Sequence, residues 1–547
     1  LSQQPVPGRV TVSTEQTQTF DAIIVGAGFA GLYALHRMNR LGLKAVVLEA
    51  ASGIGGTWYW NAYPGARCDV ESYEYSFSFD DALQQSWRWS ERYAKQPEIL
   101  RYLQHVAKRY DLLKDIRLDT KVESAHWDET DARWRIGSSA GEFRAQYLLM
   151  ATGCLSQPNM PKIRGLETFQ GESFHSSRWP RQGIELTGRR VGVIGTGSSG
   201  VQIIGNIAPE VDELYVFQRT PHWVIPAGNR AISADEDMQV KRNYGALREK
   251  LAHSLLGMGV DGGTGKAVDA SPAERHRRYE TAWQIGGPTL LLSFEDLLFD
   301  PDSNATACAF IAEKIRRIVD DPDTAEALIP DATRYPIGAR RLVQSDKYYD
   351  CFNRDTVHLV DARRDPISEI TATGITQASG AHTELDVIVF ATGFDALTGA
   401  LLNIDIRGRE GVSMKDKWTS GPTSWLGLVV ANFPNLFTIT GPGSPSVFSN
   451  VALSIEQHVD FIADLIDWMR ANGLTTTEAE EKHETEWARK VIEAAQPTVM
   501  MRTESWYWGA NVDGKPRAFL PYLGGVGAYR EECEEISGAG YKGFSFS

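Results

Sequence analysis

The sequence predicts an α/β protein built on two Rossmann-like dinucleotide-binding domains, with a helical insertion in the second. Three observations lead there. Two Gly-x-Gly-x-x-Gly turns, beginning at Gly26 and Gly195, are each entered from a short apolar run and left by a helix-like segment, so the fingerprint repeats after 169 residues. Ala-Thr-Gly follows an apolar run twice, at Ala151 and at Ala391. Between the second turn and the second Ala-Thr-Gly the text becomes charged and helical.

Composition narrows the setting. With 547 residues, 42% hydrophobic and 23% charged, the chain has room for several ordinary globular domains and is neither collagen-like, coiled-coil nor disordered. Lysine and arginine total 56 against 70 acidic residues, a net charge of −14 with no basic block, so neither nucleic acid nor a membrane surface is an expected partner. The closest two of the five cysteines, Cys308 and Cys351, are 43 residues apart, which leaves no redox pair and no metal-ligand spacing; a cytoplasmic location fits, and no metal is expected. The first 20 residues are polar and read as a loose tail without a signal or transit peptide, and the source of the missing initiator methionine stays open. Residues 418–455 carry no charge, yet Pro422, Pro434, Pro442 and Pro445 would break a membrane-spanning helix, so buried strands and turns are expected.

At the first turn, residues 21–25 (DAIIV) read as a strand and 32–41 (LYALHRMNRL) as a helix. Phe29, Leu32, Leu35 and Met38 recur at helical spacing and should face a sheet, with Gly42 placed to end the helix. Gly26 permits the tight turn, Gly28 lets the backbone approach a pyrophosphate at the positive helix end, and Gly31 lets helix and strand pack closely. The strand at 45–48 ends in Glu49, 23 residues after Gly26, where a carboxylate can accept from ribose hydroxyls. Gly53-Ile-Gly55-Gly56-Thr57-Trp58 follows and resembles the glycine turn that runs past the flavin in flavoproteins holding two dinucleotides. The first site is therefore assigned to FAD.

At the second, residues 190–194 (RVGVI) lead into Gly195-Thr196-Gly197-Ser198-Ser199-Gly200 and a helix-like 201–207. The strand at 213–217 ends in Gln218-Arg219-Thr220, where an NAD site would carry an acid. Arginine there favours a 2′-phosphate, so NADPH/NADP+ is expected, a surface ion pair being the plainer alternative. The two Ala-Thr-Gly runs resemble strands that return from one nucleotide domain to the other. The expected partition is a tail at 1–20, an FAD domain at 21–158, an NADP domain with its linker at 159–223, a helical insertion at 224–332, the rest of the NADP domain at 333–390, and the rest of the FAD domain with a C-terminal lid loop at 391–547.

Between the fingerprints stands Phe169-Gln-Gly171-Glu-Ser-Phe-His175-Ser-Ser-Arg-Trp179-Pro180. It resembles the FxGxxxHxxxW(P) signature of type I Baeyer–Villiger monooxygenases at every defining position, and the likeness extends over nearly the whole chain from residue 20. The resemblance implies oxygen insertion beside a ketone carbonyl, giving an ester or lactone with NADPH and O2 consumed, through a flavin peroxide and a tetrahedral intermediate. Aryl, cyclic or bulky ketones are the implied substrates. It further implies Arg341 as the cation that stabilises negative charge and Asp69 as its acidic partner, though from residue types alone a buried ion pair is the commoner case. Arg340 stands where lysine is expected near the 2′-phosphate and would form a clamp with Arg219 and Thr220. Ala30, Gly56, Thr57, Trp58, Asp69, Tyr75 and Val122 are implied at FAD, and Arg67, Gln202, Arg341 and Trp506 at NADP, with Trp506 in a lid loop. Ser446, Val447 and Phe448, with Trp506, are implied at the substrate pocket, Phe448 replacing a smaller aliphatic residue. Phe169, Gly171, His175, Trp179 and Pro180 are read as a linker rather than as chemistry.

Two rivals stay in view. An N- or S-oxygenating flavin monooxygenase carries a related fingerprint without Trp-Pro, and a non-catalytic dinucleotide-binding sensor would need no Arg341, Asp69 or lid. A dithiol reductase fails for want of a cysteine pair. The oligomeric state is open, a monomer being compatible with the sequence.

Overall fold

The structure, a computed structural model, describes residues 17–547. The expected tail lies outside the described residues as far as residue 16, and its end is not a tail: the first strand is Gln18–Val25, because Gln18, Thr19 and Phe20 pair with Phe143, Arg144 and Ala145. The α/β architecture, with two main sheets, is as the sequence predicts, and three smaller sheets of two or three strands accompany them.

The first sheet runs Asp405–Arg407, Val122–Asp128, Arg133–Ser138, Gly141–Met150, Gln18–Val25, Ala45–Leu48, Ile116–Arg117, with Leu436–Thr438 also paired to Gly141–Met150. Its central strands are apolar on both faces, since both are covered. Ala22 and Ile24 enter the main core beneath the helix Phe29–Arg40, while Ile23 and Val25 enter a second cluster with Trp134 and Phe433. Gly42 follows that helix at φ +71°, a conformation that stops it.

The second sheet is wholly parallel in the order Val357–Asp361, Glu213–Gln218, Arg190–Ile194, Val387–Phe390, Glu172–His175. It too is two-faced: Val191, Val193, Val387 and Val389 enter the main core, and Ile388 and Phe390 a smaller cluster with Phe217. Helices Ala234–Arg242, Tyr244–Ala252, Pro272–Ile285, Pro301–Ile318 and Pro322–Leu328 lie between its third and fourth strands in sequence. The charge-free stretch is buried but contains one short strand, Leu436–Thr438, and ends in the first turn of the helix Val451–Ala471 rather than in another strand. Asn450 caps that helix by accepting from Ala452 N. Among the described residues no helix is long and apolar enough to cross a membrane.

Candidate active site

The carboxyl ends of the parallel strands of both sheets open on one cleft of about 1820 Å3, the place where open α/β sheets bind ligands. At its first end Gly26 has φ +104°, and a Cβ there would lie 2.6 Å from the Ala151 carbonyl oxygen. The second glycine turn closes over it, so that a Cβ on Gly56 would stand 2.9 Å from Gly28 Cα. Glu49 is buried, its Oε2 accepting from Ala27 N at 2.6 Å and its Oε1 from Ala51 N at 2.8 Å. Burial raises its carboxyl above the ordinary range against those two donors. Ala30, Thr57, Trp58, Tyr75 and Val122 line this half, and Trp58 Nε1 donates to the Tyr75 hydroxyl at 3.2 Å.

At the other end Gly195 repeats the turn at φ +109°, with the Ala391 oxygen 2.5 Å from any Cβ. Thr196, Gly197, Ser198 and Ser199 line the cleft, and the Thr196 hydroxyl donates to Thr220 O at 3.1 Å. Gln202 joins the two halves, accepting from the Tyr63 hydroxyl at 3.0 Å and donating to Arg67 O at 3.2 Å. Arg67 lines the cleft with its charge already paired to Glu91 at 3.0 Å. Arg219 and Arg340 also line it, and Arg340 stacks 4.0 Å from the centre of the Tyr335 ring. Burial lowers the Arg340 pKa, and nearby Arg219 and Arg334 add to that. Gly31 and Gly200 are not walls of the cleft: a Cβ would lie 1.8 Å from Gly26 O and 2.1 Å from Gly195 O, where helix meets strand.

Between the halves, Arg341 donates from Nε and Nη2 to the two oxygens of Asp69, both at 2.8 Å, and from Nη1 to Val447 O. Burial works to raise the Asp69 carboxyl, but the guanidinium's charge and hydrogen bonds hold it below its ordinary range. Burial also opposes the charge of Arg341, and Asp69 more than restores it, so its pKa lies above the usual value. Cys68 and Cys154 line the cleft as thiols pushed up by burial; all five cysteines are free and buried.

The defining residues of the linker fingerprint stand apart from these walls. His175 is buried, its Nδ1 accepting from Ser177 N at 3.2 Å and its Nε2 lying 3.0 Å from Gly393 O, and burial drives its pKa down to about 4. Trp179 is buried edge-on to Phe174, Pro180 follows it half-buried, Phe169 packs against the smaller cluster, and a Cβ on Gly171 would meet Asp386 O at 2.4 Å. Between His175 and Trp179, Ser177 and Arg178 do reach the cleft, Arg178 lying over the Trp60 ring at 4.0 Å.

Of the expected substrate-pocket residues, Val447 and Trp506 line the cleft, and Ser446 and Phe448 do not. They sit in a 3-10 turn with Ser446 at φ +28°, which leaves Ser446 fully buried and packs Phe448 against the core. Ser449, Val451 and Ile455 line the cleft instead. Gln344, which donates to Asp69 O at 3.2 Å, and Arg334 were not singled out by sequence; neither belongs to a motif, and only the fold brings them to the cleft.

Both dinucleotides fit these residues. Two cradles lie where a Cβ would fill the space, a buried carboxylate suits ribose hydroxyls, and Arg219 and Arg340 form no ion pair among the described residues. The Gln344 Oε1 is a buried acceptor without a partner among the described residues, at the junction.

Residues 23–241 match the pyridine nucleotide-disulphide oxidoreductase family. The chain is 41% identical to a Baeyer-Villiger monooxygenase of Pseudooceanicola batsensis over 97% of this chain and 98% of that one. It is also 41% identical to a phenazine N-monooxygenase of Lysobacter antibioticus over 96% of each. An NADP-bound structure of oxidized steroid monooxygenase superposes with a TM-score of 0.92 at 47% identity, covering 97% of this chain and 99% of that one.

Proposed function

The chain belongs to the Baeyer–Villiger monooxygenases, and on that premise we propose how its own residues divide the work. It is an FAD- and NADPH-dependent monooxygenase that converts ketones to esters or lactones with O2. FAD and NADPH, when bound, supply the electrons and the activation of dioxygen. The observation that carries the residue-level reading is the Arg341–Asp69 pair at the junction of the two cradles.

Arg341 uses Nε and Nη2 on Asp69 and Nη1 on Val447 O, so its planar fork is fixed before a substrate arrives. A guanidinium does not lose its proton here, so Arg341 offers permanent positive charge where negative charge develops on the ketone oxygen. Such a preorganised donor contributes roughly 10²–10³ in rate when judged by removal of a comparable group. Asp69 remains ionised and orients the fork. The ketone would rest against Val447, Ile455 and Trp506, and Trp506 would exclude water from above. Glu49 and the first cradle would hold FAD, with Thr57, Trp58 and Tyr75 as walls. Thr196, Ser198 and Ser199 would hold the coenzyme backbone, with Arg219 and Arg340 at its 2′-phosphate. His175 is neutral at physiological pH, and with Nδ1 accepting from Ser177 N its proton sits on Nε2, facing Gly393 O. It ties the linker to the Ala-Thr-Gly loop and is no base.

N-oxygenation is the second reading, favoured by the phenazine N-monooxygenase relative. Product analysis by mass spectrometry with labelled dioxygen, NADPH, several ketones and a nitrogen heteroaromatic separates the two. An ester or lactone carrying one labelled oxygen is the expected result. N-oxide formation with no ester from any ketone would transfer the assignment to the rival.

A further inference from the structure

The segment that ends in Arg340 and Arg341 begins with another arginine at the cleft. Arg334 lines the cleft beside Arg219 and Arg340, and the positive charges of Arg219 and Arg334 both act on Arg340. Tyr335 braces two of the three: the Arg340 guanidinium lies 4.0 Å and that of Arg334 5.4 Å from its ring centre, while Trp223 Nε1 holds Tyr335 O at 2.7 Å. None of the three arginines forms an ion pair among the described residues. Cations on one cleft wall without a paired carboxylate repel one another unless an anion joins them, and a phosphate monoester carries about −1.5 to −2 charge and three acceptor oxygens.

The same arginine is tied to the lid. Its carbonyl oxygen accepts from the Thr503 hydroxyl at 2.7 Å, and Thr503 is buried three residues before Trp506. From there the lid is a bonded unit: Ala510 N donates to Ser505 O, Arg517 Nη1 to Gly509 O at 2.6 Å, and Leu520 N to Tyr507 O. Its far side reaches the FAD half, where Asn511 Nδ2 donates to Phe394 O at 2.7 Å and Lys515 pairs with Asp395.

We propose that Arg334 is a third anion-binding arginine at the coenzyme 2′-phosphate, and that the Thr503 hydroxyl on its carbonyl makes the lid respond to the occupancy of that site. This rests on the assignment of Arg219 and Arg340 to the 2′-phosphate. Arg334 is a binding residue, and Thr503 is a positioning residue that acts through it. The coupling gives a reason for the lid to close over a phosphorylated coenzyme in preference to an unphosphorylated one, before the nicotinamide is considered.

The test uses the FAD-loaded enzyme and ligands that lack nicotinamide: adenosine 2′,5′-bisphosphate, adenosine 5′-monophosphate and inorganic phosphate. Affinity is read by calorimetry and lid order by trypsin cleavage after Arg517, at the far end of the lid. In the wild type the bisphosphate binds more tightly than the monophosphate and slows cleavage several-fold, and inorganic phosphate does neither. Arg334→Ala weakens the bisphosphate about 10-fold, as loss of one charge-assisted bond predicts, with the monophosphate unchanged. Thr503→Val keeps bisphosphate affinity within about 3-fold and abolishes the protection, and Thr503→Ser restores it. If bisphosphate and monophosphate bind alike to the wild type, the underlying clamp assignment fails. If they differ there but Arg334→Ala changes nothing, the third arginine is wrong while the clamp stands. Protection that survives in Thr503→Val overturns the coupling.

Discussion

At Gly26 and Gly195 the backbone does the same thing. The φ angles are +104° and +109°, and a Cβ would strike the carbonyl oxygen of Ala151 at 2.6 Å or of Ala391 at 2.5 Å. Past the turn the two regions part. Gly28 is faced by Gly56, and the strand that follows ends in a carboxylate buried under two backbone N–H donors. Gly197 has nothing within 4 Å of an added Cβ, and its following strand ends in the exposed Arg219. A shared fingerprint thus specifies a cradle for a pyrophosphate, while the surroundings decide how long the ligand stays. The sealed cradle suits a resident cofactor and the open one a coenzyme that must leave each cycle.

The largest expected effect lies between the two cradles and belongs to neither. Arg341→Ala should lower ester formation by about 10²–10³-fold. FAD content and NADPH oxidation should persist, checked by absorbance and by the ratio of product to coenzyme consumed. Loss of coenzyme oxidation in step with product would mean that Arg341 serves the second cradle instead. The sealed and open turns are separated next. Gly56→Ala places a Cβ 2.9 Å from Gly28 Cα at φ +54°, and should cost about 1–3 kcal/mol of stability and release FAD on gel filtration. Gly197→Ala should leave melting and FAD content unchanged, within about 0.5 kcal/mol, and affect only NADPH binding. Equal FAD loss in both variants would erase the distinction.

That distinction shows what a sequence can carry. Both cradles are local: strand, glycine turn, helix and strand-end residue fall within about 30 residues, so each physical requirement is written next to the others. The Arg341–Asp69 pair spans 272 residues, and nothing in residue type or period joins its members. Resemblance to a family supplied that link. The contact of Thr503 with Arg334 spans 169 residues and had no motif to mark it. Burial of the 446–448 turn was legible from its lack of charge, but the side on which Phe448 packs was not, because no periodicity marks a three-residue turn that contains a positive φ at Ser446. The early start of the first strand was hidden similarly, since polar Gln18 and Thr19 are strand only because Phe143 and Arg144 lie beside them.

A smaller effect should fall on the open cradle alone. Arg219→Ala should raise the dissociation constant for NADPH about 10-fold and leave that for NADH within about 2-fold, with FAD retention unaffected. The rate of flavin reduction at varied concentrations of each coenzyme, measured by stopped flow without oxygen, gives the two dissociation constants. Parallel weakening of NADH would place Arg219 on the shared pyrophosphate and remove the charge contrast between the cradles.

The smallest effect contrasts two carboxylates, the buried Glu49 and the half-buried Asp69, that desolvation pushes the same way and neighbours treat differently. Asp69 is held below its ordinary range by Arg341, so its contribution to stability is complete above the unfolded pKa near 4 and is lost as pH falls through its lower folded value. Glu49 has no cation, and its folded value is raised, so its contribution has the opposite sign: complete below the unfolded value and lost as pH rises through the folded one. Thermal melts of the wild type, Asp69→Asn and Glu49→Gln from pH 7 to 3.5 should show it. The wild-type advantage over Asp69→Asn should hold steady from neutrality to about pH 4 and shrink below, whereas relative to Glu49→Gln the wild type should gain on acidification. Two difference curves of the same sign would mean that the Glu49 carboxylate has a positive neighbour of its own, and the first cradle would then be less unlike the second than its backbone contacts suggest.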